Sequence, residues 1–170
     1  MIFLALGSNL SSSFGNKFEN LNYAISYLKN YGINVVNKSH FYETPSYPNI
    51  NDPKFINMVI SIRSSLPPKD LMSVLLFIEE KLERKRNQKN DPRTCDIDII
   101  DYNSEIFNIR YENLNLKIPH KDLSSRNFVL FPLREISPNW IHPITKESIN
   151  LLIDRLSDKD KKSILKINKN

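Results

Sequence analysis

Two aspartates, Asp96 and Asp98, stand two residues apart in an apolar stretch that also contains Ile97 and Ile99. In a β-strand alternate side chains point to the same face, so both carboxylates would face one side. Like charges side by side on a strand repel, at a cost of about 1 kcal/mol or less when exposed, and a cation between them removes that cost. Mg²⁺ typically takes one or two protein carboxylates and completes its coordination with water and substrate phosphates. The pattern therefore predicts a magnesium site, although a bare Asp-x-Asp is also typical of a solvated strand face.

The ten residues that begin at Arg84 are rich in cations, namely Arg84, Lys85, Arg86, Lys89 and Arg93. Arginine binds phosphate oxygens through two parallel hydrogen bonds, and lysine supplies a point charge. Cations at a helix end are also common on a solvated surface, where they favour the helix dipole. Next to paired carboxylates, however, they indicate phosphoryl transfer, which depends on positioning and charge neutralisation.

The chain has only three glycines, Gly7, Gly15 and Gly32, and neither of the glycine-rich motifs that cradle phosphates through backbone amides. We therefore expect that ATP, if bound, is held by metal and side chains.

Composition is ordinary for one globular domain: 170 residues, 40% hydrophobic and 25% charged, with a net charge of +5. No apolar run reaches the roughly 20 residues that cross a bilayer. The single cysteine excludes an internal disulfide and favours a reducing cytoplasm. Much of the basicity lies in the last dozen residues, so we expect a domain over residues 1–158 and a solvated basic tail over 159–170.

Hydrophobic periodicity predicts the elements around these residues. In chain order they are a strand over 2–6, a helix around 21–28, strand-like residues 33–43, a strand over 55–63, a helix from Pro67 to about Arg86 and a strand over 95–100. This order is typical of the ferredoxin-like βαββαβ unit, an α+β fold in which helices cover one face of an antiparallel sheet. Two short strands near 106–118, a helix near 125–136 and an amphipathic segment near 148–156 would follow. Asp101 would face away from the aspartate pair.

The stretch from Asp91 to Ile100 resembles the signature of the 6-hydroxymethyl-7,8-dihydropterin pyrophosphokinase family. Further matching segments follow in the family's order: Ala5–Asn9, Phe41–Pro45, Phe55–Asn57, and Ile118–His120 through Arg126 to Phe128. The similarity spans roughly residues 2–155. It implies a ferredoxin-like core with an extended antiparallel sheet flanked by helices. It also implies transfer of the β,γ-diphosphate of ATP to the pterin hydroxymethyl group, with release of AMP for folate synthesis.

The resemblance also implies roles for individual residues. Asp96 and Asp98 would hold two Mg²⁺ ions, and Arg84 and Arg93 would neutralise the transferring diphosphate. The residues that would bind ATP are Glu79, Arg86, Lys89, His120 and Arg126. Those that would bind the pterin are Phe55 and Phe128, which would sandwich the ring, and Thr44, Pro45 and Asn57 at its edge. Residues 87–94 would form a catalytic loop that closes over the substrates.

Some positions depart from the family pattern. Asn90 and Asp91 stand where a tryptophan and a small residue are common, and Lys121 stands where an aromatic residue is common. These departures concern loop closure more than the reaction. We expect a cytoplasmic monomer that acts on ATP and the dihydropterin, with no nucleic-acid or membrane partner.

Two other interpretations stay open at the level of sequence. A ferredoxin-like sheet with aromatic and basic residues can bind RNA, although the chain lacks the glycine-aromatic RNA-binding motif and adjacent carboxylates repel a phosphate backbone. A homologue without catalytic activity is the second interpretation, because of Asn90 and Asp91.

Overall fold

The computed structural model describes residues 1–85, 91–111 and 114–168. Its elements, in chain order, are β1 (Ile2–Ser8), α1 (Lys17–Leu28), β2 (Asn34–Lys38), β3 (Phe41–Thr44), β4 (Phe55–Arg63), α2 (Pro68–Lys81), β5 (Asp96–Tyr102), β6 (Phe107–Tyr111), β7 (Leu114–Ile118), α3 (Asn127–Ile136), α4 (Ile149–Asp154), α5 (Asp158–Lys162) and β8 (Leu165–Ile167). None of the helices in these ranges is long and apolar enough to cross a membrane.

The main sheet has the strand order β5-β1-β4-β3-β8, and β2 also pairs with β4. All of these pairs are antiparallel. The predicted ferredoxin-like core is therefore confirmed, with its second strand divided into β2 and β3. A separate hairpin, β6-β7, follows β5.

Helices cover both faces of the sheet, whereas the sequence predicted helices on one face. On the first face α1 and α2 bury a core that includes Leu21, Leu28, Leu75 and Ile97. Each fully buried side chain of this kind contributes about 1.5–3 kcal/mol relative to an exposed one. On the second face α3 and α4 pack over Phe3, Val59 and Ile100. The prediction of one covered face was incomplete because it rested on the first hundred residues, which contain only α1 and α2.

The helix α2 ends at Lys81, about five residues before the predicted end at Arg86. Glu83 has a φ of 64°, a left-handed conformation in which a helix cannot continue. Its carboxylate accepts hydrogen bonds from the backbone N–H (3.0 Å) and the hydroxyl (2.5 Å) of Ser13, and this anchors the turn. Arg84 consequently lies outside the helix.

Asp101 faces the same side of the sheet as Asp98, contrary to the sequence prediction. A bulge between Phe3 and Leu4 shifts the register of β1 against β5 and breaks the alternation of side chains after Ile99. The buried Asp101 carboxylate accepts a 2.6 Å hydrogen bond from the Trp140 indole, within the core on the α3 side.

The predicted basic tail contains two elements, α5 and β8. β8 pairs with β3 and extends the sheet by one edge strand. Lys166 of this strand lies 3.3 Å from a carboxylate oxygen of Glu135 on α3. Glu135 also pairs with the His40 ring and accepts a 2.8 Å hydrogen bond from the Tyr42 hydroxyl.

We expect Glu135 to make the stability of the fold dependent on pH. Burial alone would raise the pKa of Glu135, but hydrogen bonds from His40, Tyr42 and Lys166 hold it below the ordinary glutamate value. The stabilisation is therefore present above the ordinary pKa and is lost as the pH falls through the folded-state pKa. Between about pH 7 and pH 3, the wild type should lose more unfolding free energy than Glu135→Gln.

Urea unfolding of both proteins across this pH range measures the difference. The exposed Glu80 on α2 provides a matched control, and Glu80→Gln should follow the wild type. A constant gap between wild type and Glu135→Gln at every pH would contradict the assignment.

Candidate active site

One row of paired residues crosses the sheet and positions the site. Asp96 on β5 pairs with Gly7 on β1, Gly7 pairs with Asn57 on β4, and Asn57 pairs with Tyr42 on β3. Because neighbouring strands lie about 4.8 Å apart, the backbones of Asp96 and Asn57 are about 10 Å apart. A Cβ on Gly7 would lie 3.2 Å from Asn57 Oδ1, so glycine leaves the space between them clear.

Asp96 is held by two arginines. Arg84 Nη1 lies 2.5 Å from Asp96 Oδ1, while Arg93 Nε and Nη2 each lie 2.9 Å from Asp96 Oδ2. Burial would raise the pKa of Asp96, but the charges of Arg93 and Arg84 overcome it and hold the pKa below the ordinary aspartate value. Both cations predicted for diphosphate binding thus converge on a predicted metal carboxylate.

The negative charge of Asp98 is offset less by neighbouring cations than that of Asp96. Arg126 Nη1 lies 3.3 Å from Asp98 Oδ2, and His120 Nε2 lies 4.0 Å from the same oxygen. Burial, followed by the charge of Asp96, raises the pKa of Asp98 above the ordinary value despite His120 and Arg126. The Asp98 side chain is 33% exposed, compared with 23% for Asp96. Asp98 is therefore the more accessible carboxylate and the one with more negative charge left to neutralise.

The orientation of the His120 ring is fixed by a hydrogen bond at the start of the turn that precedes α3. Its Nδ1 accepts a 3.2 Å hydrogen bond from the backbone N–H of Asp122, which leaves Nε2 directed at Asp98. Burial lowers the pKa of His120 even though the Asp98 charge opposes this. A neutral ring whose Nδ1 is an acceptor carries its proton on Nε2 and can donate from there.

Each phenylalanine predicted to bind the pterin is covered by an arginine. The guanidinium carbon of Arg93 lies 4.9 Å from the centre of the Phe55 ring, and that of Arg126 lies 5.5 Å from the centre of the Phe128 ring. These are cation–π distances. Arg93 and Arg126 therefore each contact one aspartate and one aromatic ring, which joins the predicted metal and pterin regions.

The predicted polar contacts for the pterin edge lie on the neighbouring strands. Asn57 Nδ2 donates to Thr44 Oγ1 (3.0 Å) and to the Tyr42 carbonyl (3.4 Å). Asn57 and Thr44 are both 5% exposed. Pro45 follows Thr44 directly and is partly buried. The structure thus brings this set together beside Phe55 on β4.

Glu79 lies beneath Arg84 rather than at an open surface. It is 1% exposed. Its Oε1 accepts a 2.7 Å hydrogen bond from the Ile97 N–H and pairs with Arg84 Nη1 at 2.7 Å. The expected contact with the nucleoside is at odds with this burial, and the geometry favours a role in positioning Arg84.

Two residues predicted to bind ATP, Arg86 and Lys89, lie outside the described residues. A cleft beside α1, lined by residues that include Asn9, Ser11, Lys17 and Pro53, contains none of the predicted ligand-binding side chains. Sequence reasoning assigned no role to Asn9, whose Oδ1 accepts a hydrogen bond from the Arg93 N–H; the signal that could have found it is its place in the family-like segment Ala5–Asn9.

The two carboxylates fit a magnesium site. Among the residues that the structure describes, no group of three or more His, Cys, Asp or Glu side chains could hold a metal ion by itself. A softer metal such as Zn²⁺ typically takes three or four such ligands, whereas Mg²⁺ accepts one or two carboxylates and fills its remaining positions with water and phosphate. The donor set therefore suits a magnesium ion that arrives with a nucleotide.

Comparison with known proteins identifies the family. The sequence model of 7,8-dihydro-6-hydroxymethylpterin-pyrophosphokinase (HPPK) matches residues 3–138. The chain belongs to the HPPK family. This membership confirms the family expected from the sequence.

Similar HPPK-family proteins occur in distant organisms. The 2-amino-4-hydroxy-6-hydroxymethyldihydropteridine pyrophosphokinase of Haemophilus influenzae is 34% identical over 92% of this chain and 92% of its own length. The enzyme of that name from Synechocystis is 36% identical over 90% of this chain and 74% of its own length. The folic acid synthesis protein fol1 of Pneumocystis carinii is 35% identical over 96% of this chain, but the chain spans only 21% of that longer protein.

Solved structures support the HPPK fold. The HPPK-DHPS protein of Plasmodium falciparum, crystallised with pterin and p-hydroxybenzoate, superimposes with a TM-score of 0.74 and 16% identity. The match covers 99% of this chain and 47% of that one. The wild-type form of that protein gives a TM-score of 0.72 at 18% identity, over 91% of this chain and 44% of that one. At this identity the likeness concerns the fold alone.

Isosteric changes of the two aspartates should have different effects on the unfolding free energy of the metal-free protein near neutral pH. Asp96→Asn removes the partner of Arg84 and Arg93 and should lower the unfolding free energy by about 1–3 kcal/mol. Asp98→Asn removes a charge that is partly buried beside Asp96; burial and the Asp96 charge both raise the pKa of Asp98, so stability should rise or stay unchanged. Urea unfolding in the presence of EDTA measures both. Equal losses in the two variants would contradict the difference in their surroundings.

Proposed function

We propose that the chain transfers the β,γ-diphosphate of ATP to the hydroxymethyl group of 6-hydroxymethyl-7,8-dihydropterin and releases AMP. The observation that carries the proposal is the convergence of Arg84, Arg93 and Arg126 on the Asp96/Asp98 pair, beside Phe55 and the amide of Asn57. HPPK-family membership supports both substrates.

The arginines provide the charge that this reaction needs. Magnesium, of which we expect two ions, would be held by Asp96 and Asp98 and would neutralise phosphate charge when bound. Arg84 and Arg93 would then exchange Asp96 for the phosphate oxygens, which they can contact through paired hydrogen bonds. Such positioning and neutralisation account for most of the catalysis in phosphoryl transfer.

The nucleotide would extend over the α3 side of the aspartates. Arg126 and the Nε2–H of His120 both lie near Asp98 Oδ2 on this side. Both could donate to phosphate oxygens once Asp98 binds metal. Arg86 and Lys89 stay predictions for the same ligand.

The pterin would lie between Phe55 and Phe128, with its edge on Asn57 and Thr44. An aromatic pair of this kind adds about 0.5–1.5 kcal/mol beyond the area it buries. Phe55 is next to Arg93, so a pterin stacked there would place its hydroxymethyl group on the side of the aspartates. Asn57 Nδ2 already donates to Thr44 and to the Tyr42 carbonyl, so the amide oxygen Oδ1 is the atom that would accept a hydrogen bond from the pterin edge.

The chain spans about a fifth of the length of the fol1 relatives from Pneumocystis carinii and Schizosaccharomyces pombe. We therefore confine the proposal to this reaction, and we further propose that the domain acts as a monomer in the cytoplasm. Family membership disfavours the nucleic-acid-binding interpretation. The assay that tests the reaction also tests the other interpretation, that the chain binds both substrates without turnover.

With ATP, Mg²⁺ and the dihydropterin, the purified protein should release AMP, and EDTA should abolish the reaction. Asp96→Ala and Asp98→Ala should each lower kcat by a factor of about a hundred or more, since each removes a group that stabilises the transition state. Product analysis by chromatography separates AMP from ADP. Asp154→Ala, at an exposed aspartate of α4, serves as the control and should retain wild-type turnover.

Production of ADP without AMP, or wild-type rates in both aspartate variants, would contradict the proposed reaction. Tight binding of pterin and nucleotide without any AMP would indicate the non-catalytic homologue.

A further inference from the structure

Asn9 lies at the end of β1, between two segments that the site needs. It is 2% exposed, and its side chain and backbone both make hydrogen bonds to distant residues. One segment carries Arg93 and leads into β5. The other, residues 45–54, connects Thr44 to Phe55 and so joins two of the residues proposed to bind the pterin.

On the phosphate side, Asn9 bonds to the backbone of Arg93. Asn9 Oδ1 accepts a 2.7 Å hydrogen bond from the Arg93 N–H. The Arg93 carbonyl accepts hydrogen bonds from the N–H groups of Asn9 (3.0 Å) and Leu10 (3.1 Å). These three bonds fix the backbone from which the Arg93 guanidinium reaches Asp96 and the Phe55 ring.

On the pterin side, the same amide bonds to both ends of the 45–54 segment. Asn9 Nδ2 donates to the Pro53 carbonyl (3.1 Å) and to Ser46 Oγ (3.3 Å). Ser46 Oγ donates in turn to the Pro53 carbonyl at 2.6 Å. The tip of the segment is open to solvent, since Tyr47 is 83% exposed and Ile50 is 72% exposed. Asn9 therefore closes the base of a loop whose outer part is exposed.

We propose that Asn9 is a positioning residue that couples nucleotide binding to pterin binding. The Arg93 guanidinium covers the ring of Phe55, where the pterin would stack. Under the proposed function, on which this inference rests, nucleotide phosphates draw Arg93 away and uncover that ring. Asn9 holds the Arg93 backbone and the Ser46–Pro53 base of the loop together, so that the loop keeps its pterin-binding position when Arg93 turns to the phosphates.

The coupling between the two ligands can be measured as a ratio of dissociation constants, the coupling factor. Its numerator is the Kd of the dihydropterin without nucleotide. Its denominator is the Kd of the dihydropterin with Mg²⁺ and an ATP analogue that has a methylene group between the α- and β-phosphates. In the wild type the factor should be about fivefold or greater, the lower range of measured couplings between sites. In Asn9→Ala, which removes all the side-chain bonds, it should fall to near one. Calorimetric titration measures both constants.

Asn20 provides a matched control on the phosphate side alone. It is fully buried, and its Nδ2 donates to the carbonyls of Leu10 (3.0 Å) and Thr94 (3.2 Å). Asn20→Ala should cost a similar amount of stability, as judged by Tm, but should keep the coupling factor within twofold of the wild type. If Asn9→Ala does not fold, Ser46→Ala removes one partner of Asn9 and should lower the factor by about half or more, in line with the loss of one neutral hydrogen bond.

A wild-type factor of one, an unchanged factor in Asn9→Ala and Ser46→Ala, or an equal loss in Asn20→Ala would overturn the proposal. Failure of the proposed function has a separate signature, because the wild type would then bind no dihydropterin or release no AMP, and the inference would fail with it.

Discussion

The organisation of the site depends on the repulsion between two carboxylates on one strand. Asp96 and Asp98 face the same side of β5 and are partly buried, so each needs a compensating charge. Arg84 after α2, Arg93 before β5 and Arg126 before α3 supply that charge from three segments. The two arginines on Asp96 offset its charge, and in the proposed reaction the same cations would neutralise phosphates.

The register of the sheet determines how far these charged residues lie from the residues proposed to bind the pterin. Asp96, Gly7 and Asn57 lie in one row across three strands, which fixes the separation between the proposed metal site and the proposed pterin edge. Arg93 spans that separation because its guanidinium contacts both Asp96 and the Phe55 ring. A flat substrate that stacks on Phe55 and a phosphate chain that binds at Asp96 would therefore meet at Arg93.

The sequence predicted the features that depend on local pattern. Strand periodicity placed Asp96 and Asp98 on one face, and the element order predicted the antiparallel core. It could not predict features that depend on distant contacts. The end of α2 depends on Glu83 bonding to Ser13, the side of Asp101 depends on a bulge against β1, and the burial of Glu79 depends on Arg84 folding over it. The helix near 125–136 and the segment near 148–156 were predicted, but not the face they cover, because α3 and α4 follow the βαββαβ unit that suggested the fold.

The proposed reaction requires Arg93 to exchange Asp96 for phosphate oxygens when the substrates bind. A crystal structure of the protein with Mg²⁺, the methylene ATP analogue and the dihydropterin tests it most directly. We expect an Asp96 oxygen at about 2.1 Å from magnesium, the usual distance for this ion, with the Arg93 guanidinium on phosphate oxygens. A structure in which Arg93 stays paired with Asp96 while both substrates are bound would show that this exchange does not occur.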